Sequence, residues 1–243
     1  MTTAAGLQTV VTVPARFRGP EGSANGGWIA GTLADTLTEA GCESAVEVTL
    51  HAPTPLQTEL RLEHMVNTVT LSEGDRLLVE AIPVAEELTG PGFVPFNEAA
   101  KAESRFPGLI DHAIADCFAC GLREPGDGLR IFPGRVDDDG ALFAAGWRVP
   151  FTVSDEGGSV PTPIVWAALD CVTGWAHLQP GESALLGRLT AQVHRRVFPG
   201  GTYSVVARAT GREGRKMYGE SAVYEVDGTL VAAARATWIV PKS

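Results

Sequence analysis

One acidic side chain is conspicuous because it interrupts an apolar stretch. Asp170 lies between Ala167-Ala168-Leu169 and Cys171-Val172. A carboxylate in such surroundings is costly to ionise, and this cost raises its pKa toward the range that suits a general base. We therefore expect Asp170 to act as a catalytic base. The alternative is a structural carboxylate that pairs across a domain interface.

A glycine pair near the N-terminus offers the complementary chemistry. Asn25-Gly26-Gly27 directly precedes a segment with helical periodicity. Glycine lets the backbone approach a ligand closely, and the N–H groups that begin a helix carry partial positive charge. Such groups stabilise a developing oxyanion. We expect Gly26 and Gly27 to donate these amides, and Asn25 either to position water and polarise a carbonyl or simply to cap the helix.

Further side chains are candidates for substrate binding rather than for chemistry. Trp28 and Trp166 either pack in the core or line a tunnel that holds the substrate. His194 and Arg196 belong to a local basic cluster that either holds the phosphates of a coenzyme or forms a solvated rim. Arg235, on the last predicted strand, either binds an anionic substrate group or pairs with Asp170.

The cysteines include one CxxC pair, Cys117 and Cys120, followed by Gly121. A structural zinc site normally has four ligands, and here only His112 is near in sequence. A thioredoxin-like redox pair requires a strand and a helix around the motif, whereas Gly121 indicates a loop. We expect reduced thiols in a packed connecting segment and no metal site.

Two helices are predicted to position these groups, over residues 27–40 and 163–176. Asn25 is a suitable cap for the first, and Pro163 suits the first turn of the second. Each follows a short strand pattern and precedes several longer ones, so the chain contains an internal repeat of roughly one hundred residues. The predicted strands cover residues 8–17, 44–51, 58–70, 75–84, 141–149, 183–197, 202–211, 216–226 and 229–240.

A strand, a long helix and a run of antiparallel strands define an α+β plan. Because the order occurs twice, we predict a double hotdog: two fused hotdog domains, each with a central helix wrapped by an antiparallel sheet. The predicted boundaries are 1–88 for the N-terminal domain, 89–130 for a linker and connecting loop, and 131–243 for the C-terminal domain. The two helices should lie antiparallel, so that Asp170 faces the glycine-rich start of the first.

Several stretches resemble known hotdog proteins. Residues 214–216, 224–232 and 238–240 resemble the C-terminal half of double-hotdog acyl-CoA thioesterases, particularly the thioesterase II type. Asn25-Gly26-Gly27 is similar to the His-Gly-Gly loop of phenylacetyl-CoA thioesterase-like hotdogs. Cys117-Phe118-Ala119-Cys120-Gly121, with the glycine and leucine at 128–129, looks like a segment of several uncharacterised hotdog proteins.

This resemblance implies an acyl-CoA thioesterase-like hydrolase that cleaves an acyl thioester with carboxylate-activated water. Asp170 falls where the thioesterase II type has its helix aspartate. Asn25 replaces the loop histidine, and Arg235 replaces a glutamine of that type. The alternatives are a non-catalytic protein that binds acyl-CoA or a fatty acyl group and, less favoured, an enoyl-thioester hydratase.

Composition narrows the set of partners. The 243 residues carry a formal net charge of -10, which argues against nucleic acid. No stretch approaches the ~18 apolar residues of a membrane helix, and Met1–Gly6 do not resemble the start of a signal peptide. We expect a cytoplasmic protein of fatty acid metabolism whose partner is an acyl-CoA or an acyl-carrier thioester. Coenzyme A would be part of the substrate rather than a cofactor, and a homo-oligomer is compatible with the fold.

Overall fold

The computed structural model describes residues 7–137 and 141–242. Within these ranges, eleven strands form one sheet, and three α-helices accompany it. The helices are α1 (Gly26–Glu39), α2 (Phe96–Ala102) and α3 (Thr162–Trp175). The strands are β1 (Leu7–Thr12), β2 (Ala45–Leu50), β3 (Glu59–Met65), β4 (Thr68–Glu73), β5 (Arg76–Val84), β6 (Gly134–Arg135), β7 (Leu142–Arg148), β8 (Leu185–Val193), β9 (Thr202–Glu213), β10 (Lys216–Tyr224) and β11 (Leu230–Ile239).

The sheet has two halves that follow each other in sequence. Its order is β1-β3-β4-β5-β2-β8-β11-β10-β9-β7-β6, so the first five strands of the chain form one half and the last six form the other. The halves join through antiparallel pairing of β2 with β8, where Val46 lies opposite Ala191. One continuous sheet therefore runs through the whole molecule. The division into domains at residues 88 and 131 stays a prediction.

Each long helix packs on its own half of the sheet. The α1 helix buries Ile29, Leu33 and Leu37, which recur every four residues and form one face against β2, β4 and β5. The α3 helix is buried almost all round, because its apolar side chains contact β7 to β11 on one side and α1 on another. A fully buried large apolar side chain contributes about 1.5–3 kcal/mol to folding, so α3 is a major source of stability.

The two long helices approach each other through small residues. A Cβ atom added to Gly27 would lie 2.5 Å from the Cβ of Asp170, and one added to Gly31 would lie 2.6 Å from the Cα of Pro163. An early residue of α1 thus meets the middle of α3, and a later residue of α1 meets the start of α3. The helices therefore run antiparallel, with the start of α1 against the middle of α3.

Some predicted elements differ from the structure. The strand predicted at 58–70 is a hairpin, β3 and β4, that turns between Met65 and Thr68. The strand predicted at 8–17 ends at Thr12, since Pro14 leads into a 3-10 turn at Ala15–Phe17. The α2 helix in the connecting segment was not predicted, because seven residues carry little periodicity.

No helix in the described ranges combines the length and the apolar composition needed to cross a membrane. The expectation about a signal peptide concerns Met1–Gly6, which lie outside the described residues.

Candidate active site

Asp170 lies at the crossing of the two long helices and is almost completely buried, with 1% of its surface exposed. Its Oδ2 accepts hydrogen bonds from the backbone N–H of Gly27 at 2.8 Å and from the Nδ2 of Asn25 at 3.0 Å, and a longer one from the thiol of Cys171 at 3.9 Å. Its Oδ1 is buried and has no hydrogen-bond partner among the described residues. One oxygen of the carboxylate is therefore held in place while the other is left unpaired.

Asn25 connects this carboxylate to the start of α1. Its Oδ1 accepts a hydrogen bond from the backbone N–H of Trp28 at 2.8 Å, which is a helix cap. Its Nδ2 donates to Asp170 and lies 3.7 Å from the Sγ atoms of Cys117 and Cys171. The capping alternative is thus correct. The predicted direct action of Asn25 on water or a carbonyl is not what the structure shows, because both ends of its amide are already engaged.

The surroundings of Asp170 make its carboxyl group a weak acid. Burial raises the pKa of Asp170 to about 7, although the hydrogen bonds from Gly27 and Asn25 act in the opposite direction. Loss of hydration disfavours the charged form, and the hydrogen bonds to the carboxylate only partly replace that hydration. Near neutral pH the group is therefore able both to accept and to return a proton.

The glycine loop takes a different role from the one expected for Gly27. Its N–H donates to Asp170, so Gly27 would have to release this carboxylate to serve as an oxyanion donor, and that role stays a prediction. The N–H of Trp28 is used by the cap, and that of Ile29 donates to the carbonyl of Asn25. Among the described residues, Gly26 is left as the first-turn amide without an acceptor, and it lines the same cavity as Asp170.

A cavity of about 270 Å³ opens at Asp170. Its wall is mainly apolar, and within the described residues it includes no lysine or arginine. An uncharged acyl group suits such a wall better than a phosphate does. Its lining includes Gly26, Ile29, Asp170, Trp175, Leu186 and Trp238.

Two of the residues predicted to bind substrate lie away from this cavity. Trp28 stacks on Phe17, with ring centroids 4.3 Å apart. Arg235 is half exposed and pairs with Glu86 at 2.7 Å and with Glu47 at 3.5 Å. Neither its predicted pairing with Asp170 nor a free guanidinium for a substrate anion is found, because two carboxylates of the outer sheet face already surround Arg235.

The other three predicted binding residues line a second cavity. Trp166, His194 and Arg196 surround a space of about 490 Å³ that is bordered by Thr38 and Thr162 but not by Asp170. They are therefore separated from the carboxylate that they were expected to serve. Their involvement in binding stays a prediction, but it concerns a different cavity.

Sequence reasoning missed a cluster of three thiols beside Asp170. The Sγ atoms of Cys117, Cys120 and Cys171 all lie within 4.8 Å of one another. Cys171 follows Asp170 directly, so its position next to this carboxylate was visible in the sequence, but its contact with Cys117 spans 54 residues. Among the described side chains, this cluster is the group suited to hold a metal ion.

No family model and no curated protein matches the chain. Solved structures do match it, over nearly its full length. The tesB protein of Mycobacterium avium subspecies paratuberculosis superposes with a TM-score of 0.64 at 14% identity, covering 97% of this chain and 93% of that one. A provisionally assigned thioesterase II from Thermobifida fusca gives a TM-score of 0.64 at 13% identity, covering 97% and 94%.

A third structure bears directly on the architecture. A protein of unknown function with a hot dog fold from Alicyclobacillus acidocaldarius has a TM-score of 0.56 at 14% identity, and the match covers 99% of this chain and 97% of that one. The chain has the hotdog fold. At these identities the likeness concerns the fold alone, and the hotdog match extends over both halves of the sheet.

Proposed function

We propose that this chain is a double-hotdog hydrolase of acyl thioesters, in which Asp170 activates the attacking water. The observation that supports the proposal is the state of this carboxylate. Its Oδ2 is fixed by Gly27 and Asn25, its Oδ1 is buried without a partner among the described residues, and Asp170 lines an apolar cavity. A buried acceptor of this kind is costly unless a ligand or water occupies it.

The reaction needs no group beyond those at this crossing. Asp170 Oδ1 accepts a proton from water as the water oxygen attacks the thioester carbonyl carbon. The N–H of Gly26, at the positive end of α1, donates to the oxyanion that forms. The carbon–sulfur bond then breaks, and the proton held by Asp170 passes to the leaving thiolate. The products are a carboxylic acid and a thiol.

The cavity indicates which part of the substrate is buried. Ile29, Leu186 and Trp238 provide an apolar wall for an acyl chain. The absence of lysine and arginine from the described lining means that the charged end of the carrier, whether coenzyme A or a carrier protein, must extend away from it. We therefore propose acyl-CoA esters as substrates. Their acyl group would account for most of the substrate surface that is buried on binding.

A matched pair of aspartates tests the assignment. Asp170→Asn keeps the size of the side chain but removes the base, while Asp35→Asn alters the corresponding residue of α1. We expect the rate of acyl-CoA hydrolysis, followed by chromatography of free coenzyme A, to fall by about 10²–10⁴-fold in Asp170→Asn. Asp35→Asn should retain the wild-type rate. Equal rates in the wild type and in Asp170→Asn would remove Asp170 from the mechanism.

A second measurement distinguishes hydrolysis from binding. If the wild type binds acyl-CoA in equilibrium dialysis but releases no coenzyme A from a series of acyl chain lengths, the chain is a binding protein and the hydrolase proposal is wrong. Hydration of crotonyl-CoA without release of coenzyme A would instead assign the cavity to a hydratase.

A further inference from the structure

The three clustered cysteines come from two separate elements. Cys117 and Cys120 lie on a tight turn of the connecting segment, in which the N–H of Gly121 donates to the carbonyl of Cys117 at 2.9 Å. A Cβ on Gly121 would lie 2.3 Å from that carbonyl oxygen, so the turn requires glycine. Cys171 comes from α3, and its Sγ is 3.6 Å from the Sγ of Cys117. Two independently rigid elements thus present three thiols to one point.

A hydrogen-bond donor lies beside two of these sulfurs. The Nδ2 of Asn25 is directed at the sulfurs of Cys117 and Cys171, at 3.7 Å from each. Hydrogen bonds to ligand sulfurs of this kind are typical of the outer shell of a metal site.

The spacing of the sulfurs is close to that of a metal site. Around a tetrahedral Zn²⁺ with Zn–S distances of about 2.3 Å, the sulfurs lie about 3.8 Å apart. The measured separations, 3.6 Å for one pair and at most 4.8 Å for all three, require only small movements to reach that geometry.

We propose that Cys117, Cys120 and Cys171 bind a thiophilic divalent cation, Zn²⁺, through three thiolates, with the fourth coordination position open to the cavity. Zinc sites with three protein ligands and one open position bind an additional ligand such as water or substrate, whereas purely structural zinc sites have four protein ligands. The nearest histidine is already used, because His112 Nε2 lies 3.1 Å from the carbonyl of Cys120 and its Nδ1 accepts from the N–H of Ile114. This site is additional to the hydrolytic role of Asp170, and it replaces the expectation that these thiols bind no metal.

The cation would also affect the neighbouring carboxylate. Asp170 Oδ2 lies 3.9 Å from Cys171 Sγ, so thiolates without a cation would place like charges side by side in a buried region. A dication at the sulfurs offsets these charges. Cation binding and the position of the carboxylate are therefore physically linked.

Metal binding can be measured without substrate. The reduced, full-length protein is dialysed against a chelator and titrated with Co²⁺, which reports thiolate ligation by charge-transfer absorption and tetrahedral geometry by its visible bands. We expect uptake of about one Co²⁺ per chain, displaced by Zn²⁺. Cys120→Ser should weaken binding by at least about 100-fold, more than the loss of an outer-shell partner does. Cys42→Ser is the matched control, because Cys42 lies outside the cluster.

The outcomes separate this proposal from its competitors. Far-ultraviolet circular dichroism establishes whether each variant is folded. If Cys120→Ser does not fold, the titration of the wild type alone still tests the proposal. Absence of the charge-transfer band from the reduced wild type, or the same band in Cys120→Ser, overturns the proposal. A Cys117–Cys171 disulfide that forms readily in air, in a chain that takes up no metal after reduction, assigns the cluster to redox chemistry instead. Neither result depends on whether the protein hydrolyses thioesters.

Discussion

The closest contact between the two long helices makes Gly27→Ala the most informative single substitution. The new Cβ would lie 2.5 Å from the Cβ of Asp170, 2.6 Å from the carbonyl oxygen of Trp166 and 2.9 Å from the Cα of Ala167. Nonbonded carbon atoms are at their optimum at about 3.5–4.0 Å. The start of α1 must therefore move away from α3 by about 1 Å, and two of the three clashing atoms belong to backbone that cannot rotate aside.

Three contributions determine the change in the free energy of unfolding. Overpacking costs about 1–3 kcal/mol. Loss of the hydrogen bond from the N–H of Gly27 to the carboxylate of Asp170 costs about 1.5–3 kcal/mol, because the acceptor is a charged group. The greater helix propensity of alanine returns about 1 kcal/mol. We expect a net destabilisation of about 2–5 kcal/mol, together with a fall in thioester hydrolysis of about 10²-fold, since the base is displaced by about 1 Å.

Urea unfolding, monitored by tryptophan fluorescence, measures the free energy of unfolding, and a hydrolysis assay with acyl-CoA measures the change in activity. Gly92→Ala is the matched control, because no atom lies within 4 Å of the Cβ that it would add. Its stability should stay within about 0.5 kcal/mol of the wild type. If Gly27→Ala unfolds with a loss of less than about 1 kcal/mol and keeps its activity, then α1 and α3 do not approach as closely as described and Asp170 is not held by this amide.

Three more changes address the acid, the cavity wall and the chain length. Asp170→Asn should be more stable than the wild type by about 1–3 kcal/mol in the same urea assay, because a neutral amide replaces a buried charge with an unpaired oxygen; a less stable variant would contradict this. Thr173→Val removes the acceptor, 2.8 Å away, of the buried Nε1–H of Trp238 and should cost about 1–3 kcal/mol, and adding Trp238→Phe should recover part of that loss. Ala52→Leu narrows the cavity, so kcat/KM across a series of acyl-CoAs should shift toward shorter chains by about 4-fold for each methylene excluded; an unchanged chain-length profile would place the acyl group elsewhere.

The long helices and most strands could be predicted because local signals are strong there. Asn25 caps α1 through its side chain, and Pro163 occupies the first turn of α3. Asp170 was identified from its apolar neighbours alone, and the structure shows it to be buried. In these cases the residue type and its immediate sequence neighbours contain the physical cause of the structure.

The hydrogen-bond pattern of the site could not be predicted, because it depends on how two distant elements cross. Gly27 donates to Asp170 because α1 and α3 pack closely, and this close packing cannot be read from the residues next to either the glycine or the aspartate in the sequence. The same is true of the approach of Cys171 to Cys117, and of the separation between the Asp170 cavity and the one lined by His194. The strand pattern around Arg235 did not reveal which carboxylate it meets. Arg235 pairs with the exposed Glu86 and not with the buried Asp170.

The two ends of the helix crossing differ in a way that argues for one catalytic centre in each chain. At the start of α1, the N–H of Gly27 donates to the carboxylate of Asp170. At the start of α3, Pro161 and Pro163 have no N–H to donate, and the backbone of Pro163 packs directly against Gly31. Asp35, the residue of α1 that corresponds to Asp170, is only partly buried, so its carboxylate is less desolvated than that of Asp170. Under the proposed mechanism, the start of α1 therefore supplies the donors of the catalytic site, whereas the start of α3 serves the packing of the two helices.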